Sequence, residues 1–121
     1  MRELITRALE RDGYEVVAVP DGGRLLVRIA RAYDGERPEE EFDLIVSDVR
    51  MPVCDGLQIL TELRRALWRT PAIMMTAFAD ERTRTLACAL GAVLLKKPFD
   101  TKDLRAAART MMCLPDPDSL P

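Results

Sequence analysis

Leu44-Ile45-Val46-Ser47-Asp48-Val49-Arg50-Met51-Pro52-Val53-Cys54-Asp55-Gly56 is the stretch on which the fold turns. A short apolar run gives way to a carboxylate and then to a loop punctuated by proline and glycine, the pattern of a buried strand, Phe42 to Ser47, that ends at Asp48. Two later runs repeat it. Ala72-Ile73-Met74-Met75 stops at Thr76, and Ala92-Val93-Leu94-Leu95 stops at Lys96-Lys97-Pro98-Phe99. Continuously apolar strands that alternate with helical spacing predict an α/β fold: a parallel sheet with helices on both faces. In such open sheets, ligands bind beyond the carboxyl ends of the strands. An acid, a hydroxyl and an ammonium group are therefore expected along one edge.

Outward from that core, Leu4, Ile5, Ala8 and Leu9 recur at helical spacing, and Asp12-Gly13 supplies a stop. Val16-Val17-Ala18-Val19, bounded by Pro20-Asp21-Gly22-Gly23, predicts a short buried strand and a turn. A second helix carries Leu25, Leu26, Ile29, Ala30 and Tyr33, and the acidic stretch from Asp34 to Glu41 reads as a solvated loop. Leu57, Leu60, Leu63 and Leu67 mark a third helix. Asp80 is positioned to cap a fourth, with Leu86, Ala87 and Leu90 as apolar positions and Gly91 at its end. The last helix, capped by Asp100 or Thr101, turns Leu104, Ala107, Ala108 and Met111 inward. Residues 1–113 are expected to form one domain and the proline- and aspartate-rich residues 114–121 a tail or linker.

Bulk composition narrows the chemistry. Apolar residues make up 48% and charged residues 31% of 121, the balance of a soluble globular domain. A net charge of -2 provides no general pull toward nucleic acid or anionic membrane, and neither is expected as a direct partner. No apolar stretch has the length of a membrane span, so a cytoplasmic setting is expected. Cys54, Cys88 and Cys113 are odd in number and far apart, and there is no histidine. This disfavours a disulfide framework, a zinc site or an imidazole base, and leaves carboxylates, hydroxyls and lysine to carry any chemistry.

Taken singly, each polar position has a plainer reading: Asp48 as a turn residue, Thr76 as a strand-end cap, Lys96 as solvated surface, Met51-Pro52 and Asp55-Gly56 as loop punctuation. The ordered set is more specific. Asp48-x-x-Met51-Pro52-x-x-Asp55-Gly56, then Thr76-Ala77, then Lys97-Pro98-Phe99 resembles the receiver domain of two-component response regulators. The resemblance implies a flavodoxin-like fold and a signalling phosphoacceptor rather than a turnover enzyme. Asp48 would accept a phosphoryl group from a sensor histidine kinase or phosphotransfer protein, with Thr76 and Lys97 engaging that group. It also implies Mg2+ held by Asp48 and the backbone carbonyl of Arg50, whose side chain would overhang the site, and a cis Lys97-Pro98 peptide. A haloacid-dehalogenase-like phosphatase would instead want a second aspartate where Arg50 stands.

The chain also departs from that pattern. Receivers carry a first strand ending in an acidic pair, and no Asp-Asp or Glu-Asp pair lies upstream of Asp48. Two fewer carboxylates should weaken or abolish Mg2+ binding. In the family's strand order, 2-1-3-4-5, that strand sits centrally; losing about five buried aliphatic residues forfeits on the order of 10 kcal/mol. Association with another copy, a homodimer by strand addition or swapping, or rearrangement of the first helix and second strand is then expected, unless the sequence simply starts downstream of its natural beginning. A degenerate receiver acting as a phosphorylation-independent interaction or dimerisation module is the alternative function. Leu94 stands where many receivers have a switching aromatic ring, and Arg82, Arg84, Lys102, Arg105 and Arg109 mix with Asp80, Glu81, Asp100 and Asp103 on the expected partner face.

Overall fold

A computed structural model of the chain describes residues 2–19, 21–33, 42–51 and 54–112. The acidic stretch at 34–41 and the expected tail at 114–121 lie outside the described residues. Among the described residues, five helices and three strands follow in the order α1 (Arg2–Arg11), α2 (Gly22–Tyr33), β1 (Ile45–Asp48), α3 (Gly56–Arg65), β2 (Ala72–Thr76), α4 (Glu81–Ala89), β3 (Ala92–Lys96) and α5 (Thr101–Met111). The strands form one parallel sheet in the order β1-β2-β3. The α/β reading of the sequence therefore stands.

Period-two alternation sorts the strand side chains into two cores. Ile45, Ala72 and Met74 face α2, α3 and α4 together with Ile29, Leu60, Leu63, Trp68 and Ala87. Val46, Ile73, Val93 and Leu95 face α1 and α5 together with Leu9, Leu104 and Ala108. Every residue of β2 is buried, as a central strand covered on both faces requires. Helix ends are fixed by side chains that satisfy the first free amides. Asp55 Oδ1 accepts from the Leu57 and Gln58 N–H groups while Gln58 Oε1 accepts from the Asp55 N–H, a reciprocal cap on α3. Asp80 caps α4 through the Thr83 N–H, and Asp103 accepts from the Asp100 N–H at the start of α5.

Two expectations fail, each for a physical reason. The predicted strand Val16–Val19 has no ladder, and Val17 is 51% exposed. β-branched residues favour extended backbone, but strand status needs a hydrogen-bonding neighbour, and no strand of the described residues lies beside this one. Leu67, read as the last apolar position of the third helix, lies beyond α3 with φ 65° and is 73% exposed; Trp68, only 2% exposed, fills the core in its place. The Leu67 N–H reaches the Arg64 carbonyl and the Trp68 N–H the Leu63 carbonyl, so the chain ends this helix through a left-handed residue that is normally glycine. Replacing Leu67 with glycine is expected to raise stability by about 0.5–1 kcal/mol, because the left-handed strain outweighs glycine's entropy cost; the urea midpoint measures it.

Candidate functional site

Strand ends place the site. Asp48 stands opposite Met75, and Met75 opposite Leu95, so the carboxyl ends of all three strands lie in register. Asp48 continues the row of Val46 on the α1/α5 side, and Lys97, two residues beyond Leu95, continues the row of Val93 and Leu95 on the same side. The consequence is an ion pair: Lys97 Nζ lies 2.5 Å from Asp48 Oδ1, with the two side chains 27% and 41% exposed. Lys96 points to the other side and is exposed. The Lys97-Pro98 peptide is cis, and the Lys97 N–H donates to the Thr76 carbonyl at 2.7 Å, which ties the lysine's backbone to the end of β2.

Thr76 is buried at the end of β2, one register step beyond the residue facing Asp48. Its hydroxyl accepts from the Phe78 N–H at 3.0 Å and bonds the Phe78 carbonyl at 3.1 Å, which shapes the loop after β2. Arg50 is exposed, and its guanidinium lies 5.6 Å from the centre of the Phe78 ring. The side chain thus reaches across the loop mouth to the segment after Thr76.

Two residues that support this site are silent in the sequence as chemistry. Ser47 Oγ donates toward the Asp48 carbonyl at 2.9 Å and lies 3.6 Å from Met51 Sδ. Gly56 opens α3 against the same carbonyl: its N–H donates to Val49, and a Cβ placed on it would run into the Asp48 carbonyl oxygen and come within 2.9 Å of Ser47 Oγ. Asp-Gly at 55 and 56 therefore does two jobs, a cap and a close backbone approach.

The residues present do not fit a magnesium ion. Near-octahedral oxygen coordination needs several carboxylate or carbonyl donors. Asp48 offers one carboxylate, already paired with Lys97, and Arg50 one main-chain carbonyl. No cluster of three or more His, Cys, Asp or Glu side chains able to hold a metal occurs among the described residues.

The expected partner face also needs correction, because two of its arginines face α1 instead. Arg105 clasps Asp12 with both nitrogens, Nε at 2.8 Å and Nη2 at 2.7 Å, and Arg109 Nη2 stands 3.8 Å from the same carboxylate, whose side chain is 9% exposed. The hydrogen bonds from Arg105 hold the Asp12 carboxyl below its ordinary value of 3.8. As pH falls, the unfolded chain takes up this proton first; the stabilisation is complete above 3.8 and is lost as pH drops through the lowered folded value. Asp12→Asn is expected to cost about 1–2 kcal/mol at neutral pH and to flatten the acid limb of stability against pH in this region, read by thermal melts.

Comparison with known proteins agrees with this fold. The sequence pattern of the response regulator receiver domain matches residues 1–109. The alkaline phosphatase synthesis transcriptional regulatory protein PhoP of Bacillus subtilis is 33% identical over 110 residues, 90% of this chain and 42% of that protein. The transcriptional regulatory protein CpxR of Escherichia coli is 33% identical over 113 residues, 93% of this chain and 44% of that protein. The chain thus spans less than half the length of these relatives. Among solved structures, the chemotaxis response regulator CheY4 of Vibrio cholerae superposes with a TM-score of 0.72 at 30% identity, covering 91% of this chain and 88% of that one. The non-phosphorylated HemR receiver domain of Leptospira biflexa gives 0.74 at 27% identity, covering 96% and 88%. With the Asp48, Thr76 and Lys97 motifs all inside the matched span, the chain belongs to the response regulator receiver domain family.

Proposed function

We propose that this chain is the phosphoacceptor module of a two-component phosphorelay in the cytoplasm, in which Asp48 takes a phosphoryl group from a histidine kinase or phosphotransfer protein. The observation that carries this reading is the Lys97 ammonium seated on the Asp48 carboxylate. In the transfer, an Asp48 carboxylate oxygen forms the new bond to phosphorus, the donor's phosphorus–nitrogen bond breaks, and the departing imidazole keeps the electron pair and takes a proton from solvent. Asp48 needs no base, since a carboxylate is ionised at neutral pH. The demand is for cations and donors around the phosphoryl oxygens, and Lys97 supplies a positive charge that can pass from carboxylate to phosphoryl group. Thr76 can supply its hydroxyl once it releases the Phe78 carbonyl. The relatives PhoP and CpxR are named as transcriptional regulators, so DNA contact would belong to an output module rather than to this chain.

A second reading, a phosphorylation-independent interaction module, is favoured by one observation: the carboxylates needed to hold a divalent cation beside Asp48 are absent among the described residues. Incubation with acetyl phosphate or beryllofluoride, with and without magnesium, separates the two. Saturable modification that maps to Asp48 and vanishes in Asp48→Asn supports phosphoacceptance. No modification under any of these conditions supports the second reading.

A further inference from the structure

Thr76 carries one hydroxyl proton, and that proton is engaged within its own loop. Its Oγ1 donates to the Phe78 carbonyl at 3.1 Å and accepts from the Phe78 N–H at 3.0 Å. A hydroxyl is a single donor, so while these bonds hold, Thr76 offers no proton to a group on Asp48. Phe78 is 66% exposed, although nothing in its backbone role needs a ring. What the ring does have is a cation. The Arg50 guanidinium lies 5.6 Å from its centre, within the range of cation–π attraction. The Arg50 charge is also felt at nearby Asp80, whose carboxyl is held below its ordinary value of 3.8 first by hydrogen bonds from Thr83 and in smaller part by Arg50 and Arg82.

Arg50 belongs by sequence to the other side of the site. It stands two residues past Asp48, at most about 7 Å away along the chain. Val49, between them, is anchored to β2 by its N–H bond to the Met75 carbonyl. The Arg50 backbone is therefore fixed near the reactive carboxylate, and its exposed side chain alone chooses between the ring and the space before Asp48. From this we infer that the Arg50–Phe78 contact is a latch, which holds the loop at 77–79 and the Thr76 hydroxyl disengaged until a phosphoryl group on Asp48 draws the guanidinium off the ring. Charge sets the direction. In the free chain Lys97 neutralises the Asp48 carboxylate, which leaves little net field to pull Arg50 inward. A phosphoryl group carries about two negative charges, one more than Lys97 offsets. A charge-assisted hydrogen bond to it then outweighs an exposed cation–π contact. With the ring released, the loop relaxes and Thr76 Oγ1 can donate to a phosphoryl oxygen. Arg50 and Phe78 are thus positioning residues that act through Thr76. The trigger rests on phosphoryl acceptance at Asp48, whereas the resting latch is open to test in the unmodified chain.

Amide hydrogen exchange at residue 78, followed by NMR in the full unmodified chain and scaled to each variant's intrinsic rate, reads the resting latch. Arg50→Gln is expected to speed it about 2–5-fold, the scale of an exposed cation–π contact. Phe78→Leu should do the same, and the double variant no more than either alone, since both remove one contact. Phe78→Tyr keeps the ring and should exchange like wild type. In a Thr76→Val background, where the amide has already lost its acceptor, Arg50→Gln should add nothing. The trigger is read with acetyl phosphate. Once Asp48 is modified, the Arg50 Nε–H resonance should leave its ring-shifted position for that seen in Phe78→Leu. Phe78→Leu should take up the phosphoryl group about 2–5-fold faster than wild type, because no latched population lowers the competent fraction. Arg50→Gln, which loses the cation along with the latch, should show no such gain. Unchanged exchange in Arg50→Gln, additive effects in the double variant, or an Arg50 resonance still ring-shifted after modification would overturn the inference. Absence of modification at Asp48 in every variant would overturn phosphoryl acceptance and this trigger with it, while the exchange measurements, made without a donor, still decide the latch.

Discussion

Gly56→Ala is expected to destabilise the chain by about 3 kcal/mol, although alanine is the better helix former. The added Cβ meets the main-chain carbonyl oxygen of Asp48, and neither partner can yield cheaply. That carbonyl is held by the Ser47 hydroxyl, and the strand it terminates is pinned to β2 on both sides of it. On the other side, Gly56 is locked by its hydrogen bond to Val49 and by the reciprocal cap at Asp55. A helix interior gains about 1 kcal/mol from glycine to alanine, which the steric cost exceeds. Gly91→Ala is the matched control. Its φ of 71° carries the left-handed penalty, but nothing stands within 4 Å of a Cβ there, so about 1–2 kcal/mol is expected. Urea unfolding of the two variants should separate strain alone from strain plus collision, and equal midpoints would refute the close approach at Gly56.

Lys97→Met is expected to slow phosphoryl uptake from acetyl phosphate by about 10²–10³-fold while leaving the fold intact. Methionine keeps most of the aliphatic stem and removes only the charge. Without the ammonium group, an anionic donor approaching Asp48 meets a bare carboxylate, and the transition-state oxygens lose their nearest cation. Lys96→Met, one residue away and on the opposite side of β3, should change the rate by less than about two-fold, since a solvent-exposed charge is largely screened. Lys97→Arg keeps the charge but spreads it over a planar fork, and so separates the need for charge from the need for a compact ammonium group. A Lys97→Met rate equal to wild type would remove Lys97 from the reaction.

The strand ends were legible because a short apolar run closing on a polar residue has few other uses, and Asp48, Thr76 and Lys97 duly lie at the carboxyl edge of one parallel sheet. Their chemical roles rest on the family pattern and on the tests above. Apolar periodicity misled at Val16–Val19, where local preference for extended backbone was mistaken for membership of a ladder that needs a neighbour. It misled again at Leu67, where a leucine at helical spacing sits past the end of α3 and Trp68 takes the buried position. The pairing of Asp12 with Arg105 could not be read at all. It spans 93 residues of sequence, and charged residues on helices α1 and α5 look the same whether they meet each other or water.

That clasp has a mechanical consequence. Apolar helix contacts carry no directional bonds, whereas a two-pronged guanidinium grip fixes both spacing and angle. The grip holds α5 to Asp12, directly after the last turn of α1, and α1 contributes Ile5 and Leu9 to the lining of a cavity beside β1. Arg105 thereby links the position of α5 to the end of the helix that lines the cavity beside β1.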